Sequence, residues 1–142
     1  MSLDKKLIND FIEVTSFAAM EASKFIGKND KISADKAAVD IMRKKLNQLT
    51  IDGRIVIGEG ELDEAPMLYI GEKLGTKDGI KLDIAVDPVE GTNFVAKNLP
   101  GAISVMAITE EKNLFSAPET YMHKIAVGPN IPKDSINLNY NL

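Results

Sequence analysis

Two acidic clusters in this chain have residue types and spacings suited to chemistry. The run Gly58-Glu59-Gly60-Glu61-Leu62-Asp63-Glu64 gathers four carboxylates, and Asp87-Pro88-Val89-Glu90-Gly91-Thr92 sets two more three residues apart beside a hydroxyl. Carboxylates held this close repel, and each raises its neighbours' pKa unless a cation offsets the charge. Divalent cations such as Mg²⁺ or Mn²⁺ take oxygen ligands from carboxylate, water and phosphate. Pro88 stiffens the second cluster, while Gly91 and Thr92 are placed to start a short helix over Asn93 to Ala96. The N-terminus of such a helix offers backbone N–H groups to an anion. Acids that hold metal, beside amides that hold phosphate, describe a phosphoryl-transfer site. Composition alone favours a solvated acidic face.

The elements that must position these clusters follow from periodicity. Leu7, Phe11, Val14, Ala18, Ala22 and Phe25 recur at helical steps and predict a first helix ending near Gly27. Ala34, Ala37, Ala38, Ile41, Met42 and Leu49 predict a second, opened by Ser33 as N-cap. After the turn pair Asp52-Gly53, the β-branched run Arg54 to Ile57 predicts a strand, and Pro66 to Leu74 a helix bounded by Gly75. Two further strands are expected at Leu82 to Val86 and Ile103 to Thr109, then a hairpin turn over Glu110 to Asn113 and a strand or short helix over Tyr121 to Val127. Both acidic clusters directly follow a strand. If those strands are parallel neighbours, the clusters emerge at one edge of the sheet. The mixture of helices and strands without strict alternation gives an α+β class.

Composition sets limits on the rest. The 142 residues are 44% hydrophobic and 27% charged, near the globular average. With no cysteine, the sequence excludes disulfides, thiolate metal sites and a cysteine nucleophile, and points to a reducing, cytoplasmic compartment. No apolar run approaches the roughly 20 residues that span a bilayer. Met1 to Asp10 carries charge where a signal peptide would be apolar, so a soluble protein without membrane contact is expected. Residues 51–100 hold ten acids against five bases, a local excess that disfavours nucleic acid as a partner.

The motif at 87–92 resembles the Asp-Pro-hydrophobic-Asp/Glu-Gly-Thr signature of the lithium-sensitive, metal-dependent sugar and inositol phosphatases. Its Glu form, with the segments Ile57 to Lys73 and Ala117 to Pro129, resembles class II fructose-1,6-bisphosphatase in motif order, over about Lys6 to Pro129. The resemblance implies a layered α/β sugar-phosphatase-like fold with two N-terminal helices packed on a mixed sheet. It also implies hydrolysis of the 1-phosphate of fructose-1,6-bisphosphate to fructose 6-phosphate in gluconeogenesis or the Calvin cycle, with Mn²⁺ or Mg²⁺ as cofactor. Some members also act on sedoheptulose-1,7-bisphosphate. Asp35 and Glu59 match ligands of one metal, and Asp87 and Glu90 ligands of a second. Thr92 matches the residue that orients the attacking water, and Asp63 a carboxylate that activates that water or Thr92. Glu90, Gly91, Thr92 and Tyr121 match contacts to the sugar phosphate. A homo-oligomer is expected.

Two departures accompany the resemblance. Asn29-Asp30-Lys31 stands where Gly-Asp-Lys is usual, and Lys36 follows Asp35 where a small residue is common. Family members also continue well past Pro129. The expectation is therefore a metal-binding N-terminal domain over 1–129, a polar tail over 130–142, and truncation before the second half of an enzyme, with Met1-Ser2-Leu3 as a cloning leader. Gly91-Thr-Asn-Phe94 also suits an inositol monophosphatase-like enzyme, but Glu90 and Tyr121-Met122 favour the bisphosphatase. A different expectation is a non-catalytic metal-binding fragment that self-associates through apolar faces. His123, without a partner His or Cys, reads as a surface residue, and Met20, Met42, Met67 and Met106 as core filler.

Overall fold

The computed structural model describes residues 4–59, 67–116, 123–132 and 135–139. Asp4 caps helix α1 (Lys5–Ser23) by accepting the Lys6 N–H, and the stripe Phe11, Val14, Ala18 and Ala22 is buried as its spacing requires. Helix α2 (Lys31–Leu46) is capped by Asp30, whose Oδ1 accepts the Ser33 N–H at 2.9 Å. This corrects the expected cap at Ser33: that residue already lies in the first turn, where it is the donor. Ala18, Ala22, Ala34 and Ala38 share one core, and their small side chains let the helices approach closely. Phe25 and Leu49 lie outside the helices, yet both pack on this core.

The helices cover one face of a four-stranded sheet ordered β2-β1-β3-β4, formed by β1 (Ile51–Ile57), β2 (Lys73–Leu74), β3 (Ile80–Glu90) and β4 (Ile103–Glu110). β1 and β3 run parallel, and the other two pairs are antiparallel. The expected α+β class and mixed sheet are thus observed. Ile51, Ile55, Leu82 and Ile84 supply its fully buried centre, with Met42 and Leu46 from α2. Met106 and Ile108 of β4 pack on the helical core, whereas Ile103, Val105 and Ala107 alternate with them and are exposed.

Several local expectations change. Asp52-Gly53 belongs to β1, not to a turn. A Cβ on Gly53 would stand 2.8 Å from Ile84 Cδ1, so the glycine admits a close neighbour. No helix occupies residues 67–74. Instead this segment adds to the outer edge of β1: Gly71 N–H donates to Ile55 O at 2.8 Å, and Ile55 N–H to Glu72 O at 3.0 Å. An open strand edge with unpaired backbone groups outcompetes a short helix interrupted by Gly71, whose φ of 95° is itself non-helical. Leu68, completely buried, anchors the segment. The turn after β4 is present, with Lys112 and Leu114 N–H groups on the buried Asp83 carboxylate, but residues 123–127 form neither strand nor helix. Residues 121 and 122 of that expected element lie outside the described residues. His123 is exposed as expected. Met42 is core, Met67 and Met106 are partly buried, and Met20 is exposed, contrary to expectation.

Candidate active site

The two acidic clusters reach one place because β1 and β3 are parallel neighbours. Ile57 pairs with Ala85, so Glu59 and Asp87, each two residues further on, emerge level at the same end of the sheet. Within β3 a second device operates. Residues three apart on a regular strand point to opposite faces. Here Asp87 pairs with Val105 and Glu90 with Ile103, so three steps on β3 match two on β4. This one-residue bulge brings Glu90 round to the face of Asp87. Pro88, fully buried and without an N–H to give the ladder, occupies the bulge.

Gly91 then turns the chain with a φ of 87°, and Thr92 opens the one-turn helix α3 (Thr92–Ala96). The connection from α1 to α2 is tied to α3, with Gly27 N–H on Val95 O at 3.0 Å and Asn29 N–H on Ala96 O at 2.8 Å. That connection delivers the start of α2, and with it Asp35, to the strand ends. Asn29 adopts a φ of 56°, which explains the glycine usual in its place: asparagine is among the few other residues that enter this region readily.

Asp35, Glu59, Asp87, Glu90, Gly91 and Thr92 all line one cavity of about 540 Å³. Asp63 and Tyr121 lie outside the described residues. Burial, contact with the Glu90 carboxylate and the charges of Glu90 and Asp35 push the Asp87 carboxyl up to about 6, with the Val89 N–H opposing in part. Burial also raises Asp35. Oδ1 of Asp87 is buried, and among the described residues no group donates a hydrogen bond to it. A buried oxygen in need of a positive partner, among other carboxylate oxygens, is a hard donor set of the kind that suits a divalent cation. Among the described residues no three acidic or histidine side chains cluster tightly enough to hold one ion alone. Asp87 and Glu90 therefore form one pair in contact, while Asp35 and Glu59 contribute to the same cavity from other elements.

Lys31, Lys36 and Met67 also line the cavity. Lys36 directs its ammonium to Asp40, one turn along α2, at 2.7 Å. Lys31 is a lining residue beyond those the motifs indicate, and its sequence signal is its spacing: it precedes Asp35 by four residues, which places both on one helical face.

A sequence model of the family described as "Bacterial fructose-1,6-bisphosphatase, glpX-encoded" matches residues 5–142. The chain belongs to this family. The match takes in residues 130–142 as well as the motifs. Fructose-1,6-bisphosphatase 1 class 2 of Escherichia coli (strain K12) is 51% identical over 138 residues, covering 97% of this chain and 41% of the relative. D-fructose 1,6-bisphosphatase class 2/sedoheptulose 1,7-bisphosphatase of Synechococcus sp. (strain JA-3-3Ab) is 47% identical over 150 residues, covering 97% and 43% respectively. The chain thus spans about two fifths of the length of these relatives. Among the described residues no helix is long and apolar enough to cross a membrane.

Proposed function

We propose that this chain forms the metal- and phosphate-binding part of a cytoplasmic phosphatase that hydrolyses the 1-phosphate of fructose-1,6-bisphosphate, with the sedoheptulose bisphosphate as a second substrate. The observation that carries the reading is the convergence of Asp35, Glu59, Asp87, Glu90 and Thr92 on one cavity, with the Asp87 carboxyl pushed up to about 6 by burial and by Glu90. Residues 1–129 would supply this domain and 130–142 a polar tail.

In this reading Asp35 and Glu59 hold one ion and Asp87 and Glu90 another, Mn²⁺ or Mg²⁺ by the hardness of the donors. When bound, such ions offset charge on the phosphoryl oxygens and lower the pKa of a water. The Thr92 hydroxyl orients the attacking water in line with the scissile bond. Asp63, assigned through the motif, takes the proton from that water or from Thr92. Gly91 lets the backbone approach the phosphate, Tyr121, assigned through the motif, contacts the sugar phosphate, and the Lys31 ammonium adds positive charge among the carboxylates of the cavity.

The test is phosphate release from fructose-1,6-bisphosphate with Mn²⁺ or Mg²⁺, by this chain and by a form extended to the length of its relatives. Activity is expected in the extended form, lost in Asp87→Ala and Thr92→Ala, with little or none in the 142-residue chain. An inactive extended form would overturn the assignment. A second reading, self-association of this chain, is favoured by the exposed apolar side chains on β4, in α3 and just after it: Ile103, Val105, Phe94 and Leu99.

A further inference from the structure

Asp35 and Glu59 come from different elements. Asp35 rides on α2, whereas Glu59 follows β1. The link between them is a part-buried clasp centred on Arg43. Arg43, two turns beyond Asp35 on α2, directs its guanidinium at the segment following the Gly60 to Pro66 stretch. Its Nε donates to Glu72 Oε1 at 2.7 Å and its Nη2 to Glu72 Oε2 at 3.1 Å, while Nη2 also donates to the Met67 carbonyl. Glu72 is only 8% exposed, one of two buried charged residues among the described residues. A two-pronged guanidinium–carboxylate pair in such a place fixes direction as well as distance.

The clasped segment in turn holds Glu59. Glu59 N–H donates to Leu68 O at 3.0 Å. Gly58 lies so close that a Cβ there would meet Leu68 O at 2.2 Å. Gly71 and Glu72 bond the backbone of Ile55 on the same strand. Met67, whose carbonyl Arg43 holds, lines the cavity beside Asp35 and Glu59. The path from α2 to Glu59 therefore runs through Arg43, the 67–72 segment and the Leu68 carbonyl. Asp87 and Glu90 stand on β3 and are positioned by the Pro88 bulge without using this path.

We infer that Arg43 is a positioning residue that sets the separation of Asp35 and Glu59, and with it the affinity of the cation site they share, while leaving the Asp87–Glu90 pair unaffected. The inference rests on the metal reading of the cavity given above. Residues that hold a ligand in place are commonly worth about 10- to 100-fold in metal affinity.

The experiment uses the 142-residue chain and Mn²⁺ as the probe, with binding followed by electron paramagnetic resonance. In an Asp87→Asn background, which keeps Asp35 and Glu59, Arg43→Met is expected to weaken Mn²⁺ binding at least about tenfold. Arg43→Lys, which keeps the charge but not the fork, is expected to recover only part of it. In an Asp35→Asn background, which keeps Asp87 and Glu90, the same Arg43 substitutions are expected to change binding less than about twofold. Equal weakening in both backgrounds would reduce Arg43 to a general structural role and overturn the inference, as would no change in either. Absence of Mn²⁺ binding by the unsubstituted chain would instead overturn the reading of the cavity. A metal-free measurement keeps the clasp testable in that event. Hydrogen exchange at the Glu59 and Gly71 amides should rise about tenfold or more in Arg43→Met, with α1 amides unchanged, and unaltered exchange there would overturn the clasp itself.

Discussion

The Asp87 carboxyl makes a quantitative demand on the metal-free protein. Its value rises from 3.8 to about 6, first through burial and then through Glu90 and Asp35. At 1.36 kcal/mol per pK unit this corresponds to about 3 kcal/mol. The group is only half-buried, so solvent screening reduces the figure to about 1–2 kcal/mol. The sign follows from linkage. The native state binds this proton more tightly than the unfolded chain, so stability falls as pH rises from 3.8 to about 6 and is level above that window. Asp35 moves in the same direction and adds to the slope. Comparison with Asp87→Asn isolates Asp87, because the amide fills the same space without a charge. Urea unfolding of metal-free protein, followed by circular dichroism, should find Asp87→Asn more stable than the unsubstituted chain by about 1–2 kcal/mol at pH 7, and by less than half of that near pH 4. Millimolar Mn²⁺ should reverse the order at pH 7, since a cation stabilises only the form that retains the carboxylate. If Asp87→Asn is no more stable at neutral pH, or gains equally at both pH values, the picture of a strained acidic pair is wrong.

Three further substitutions probe the framework. Gly91→Ala forces a Cβ into a φ of 87° and to 3.1 Å from Phe94 Cδ2, and should lower stability by about 1–2 kcal/mol in the same urea assay. Leu68→Ala removes a fully buried anchor of the segment on β1 and should reduce stability by about 2–5 kcal/mol, with Mn²⁺ affinity falling alongside. Val105→Lys places a charge on the exposed face of β4 and should shift the chain towards monomer in analytical ultracentrifugation, with little change in unfolding midpoint.

Helices α1 and α2 were legible because their apolar stripes keep helical period over several turns, and the central strands because β-branched runs sit between glycines. The segment 67–74 was not, and the reason is tertiary. Its local sequence offers Pro66 and Gly75 as helix bounds, but the free edge of β1 supplies backbone partners that a pattern within the segment cannot reveal. The bounds of β3 failed for a related reason. Asp87-Pro-Val-Glu reads as a loop, since proline and acids are poor strand formers, yet β4 continues to pair beyond the bulge as far as Glu90. The N-cap of α2 was misplaced by three residues: Ser33 was expected, but the Asp30 carboxylate precedes the first turn and accepts from it.

Of the candidate site, the sequence pointed to four acids that line one cavity, Asp35, Glu59, Asp87 and Glu90, but not to how two of them meet. Carboxylates three apart come together on a helix and separate on a strand. The motif at 87–92 meets neither rule, and each residue between and after its acids has a geometric part in the exception. Pro88 takes the bulge position that a ladder donor could not leave unpaired. Val89, 5% exposed, fastens the bulge to the core, and Glu90, still open to solvent, is turned back towards Asp87. Gly91 supplies the positive φ that ends the strand and starts α3, and so carries Thr92 to the same cavity. The spacing of the motif is therefore a description of a bulge and a turn. It places two carboxylates and a hydroxyl together at the end of a strand that, without the bulge, would have kept the carboxylates on opposite faces.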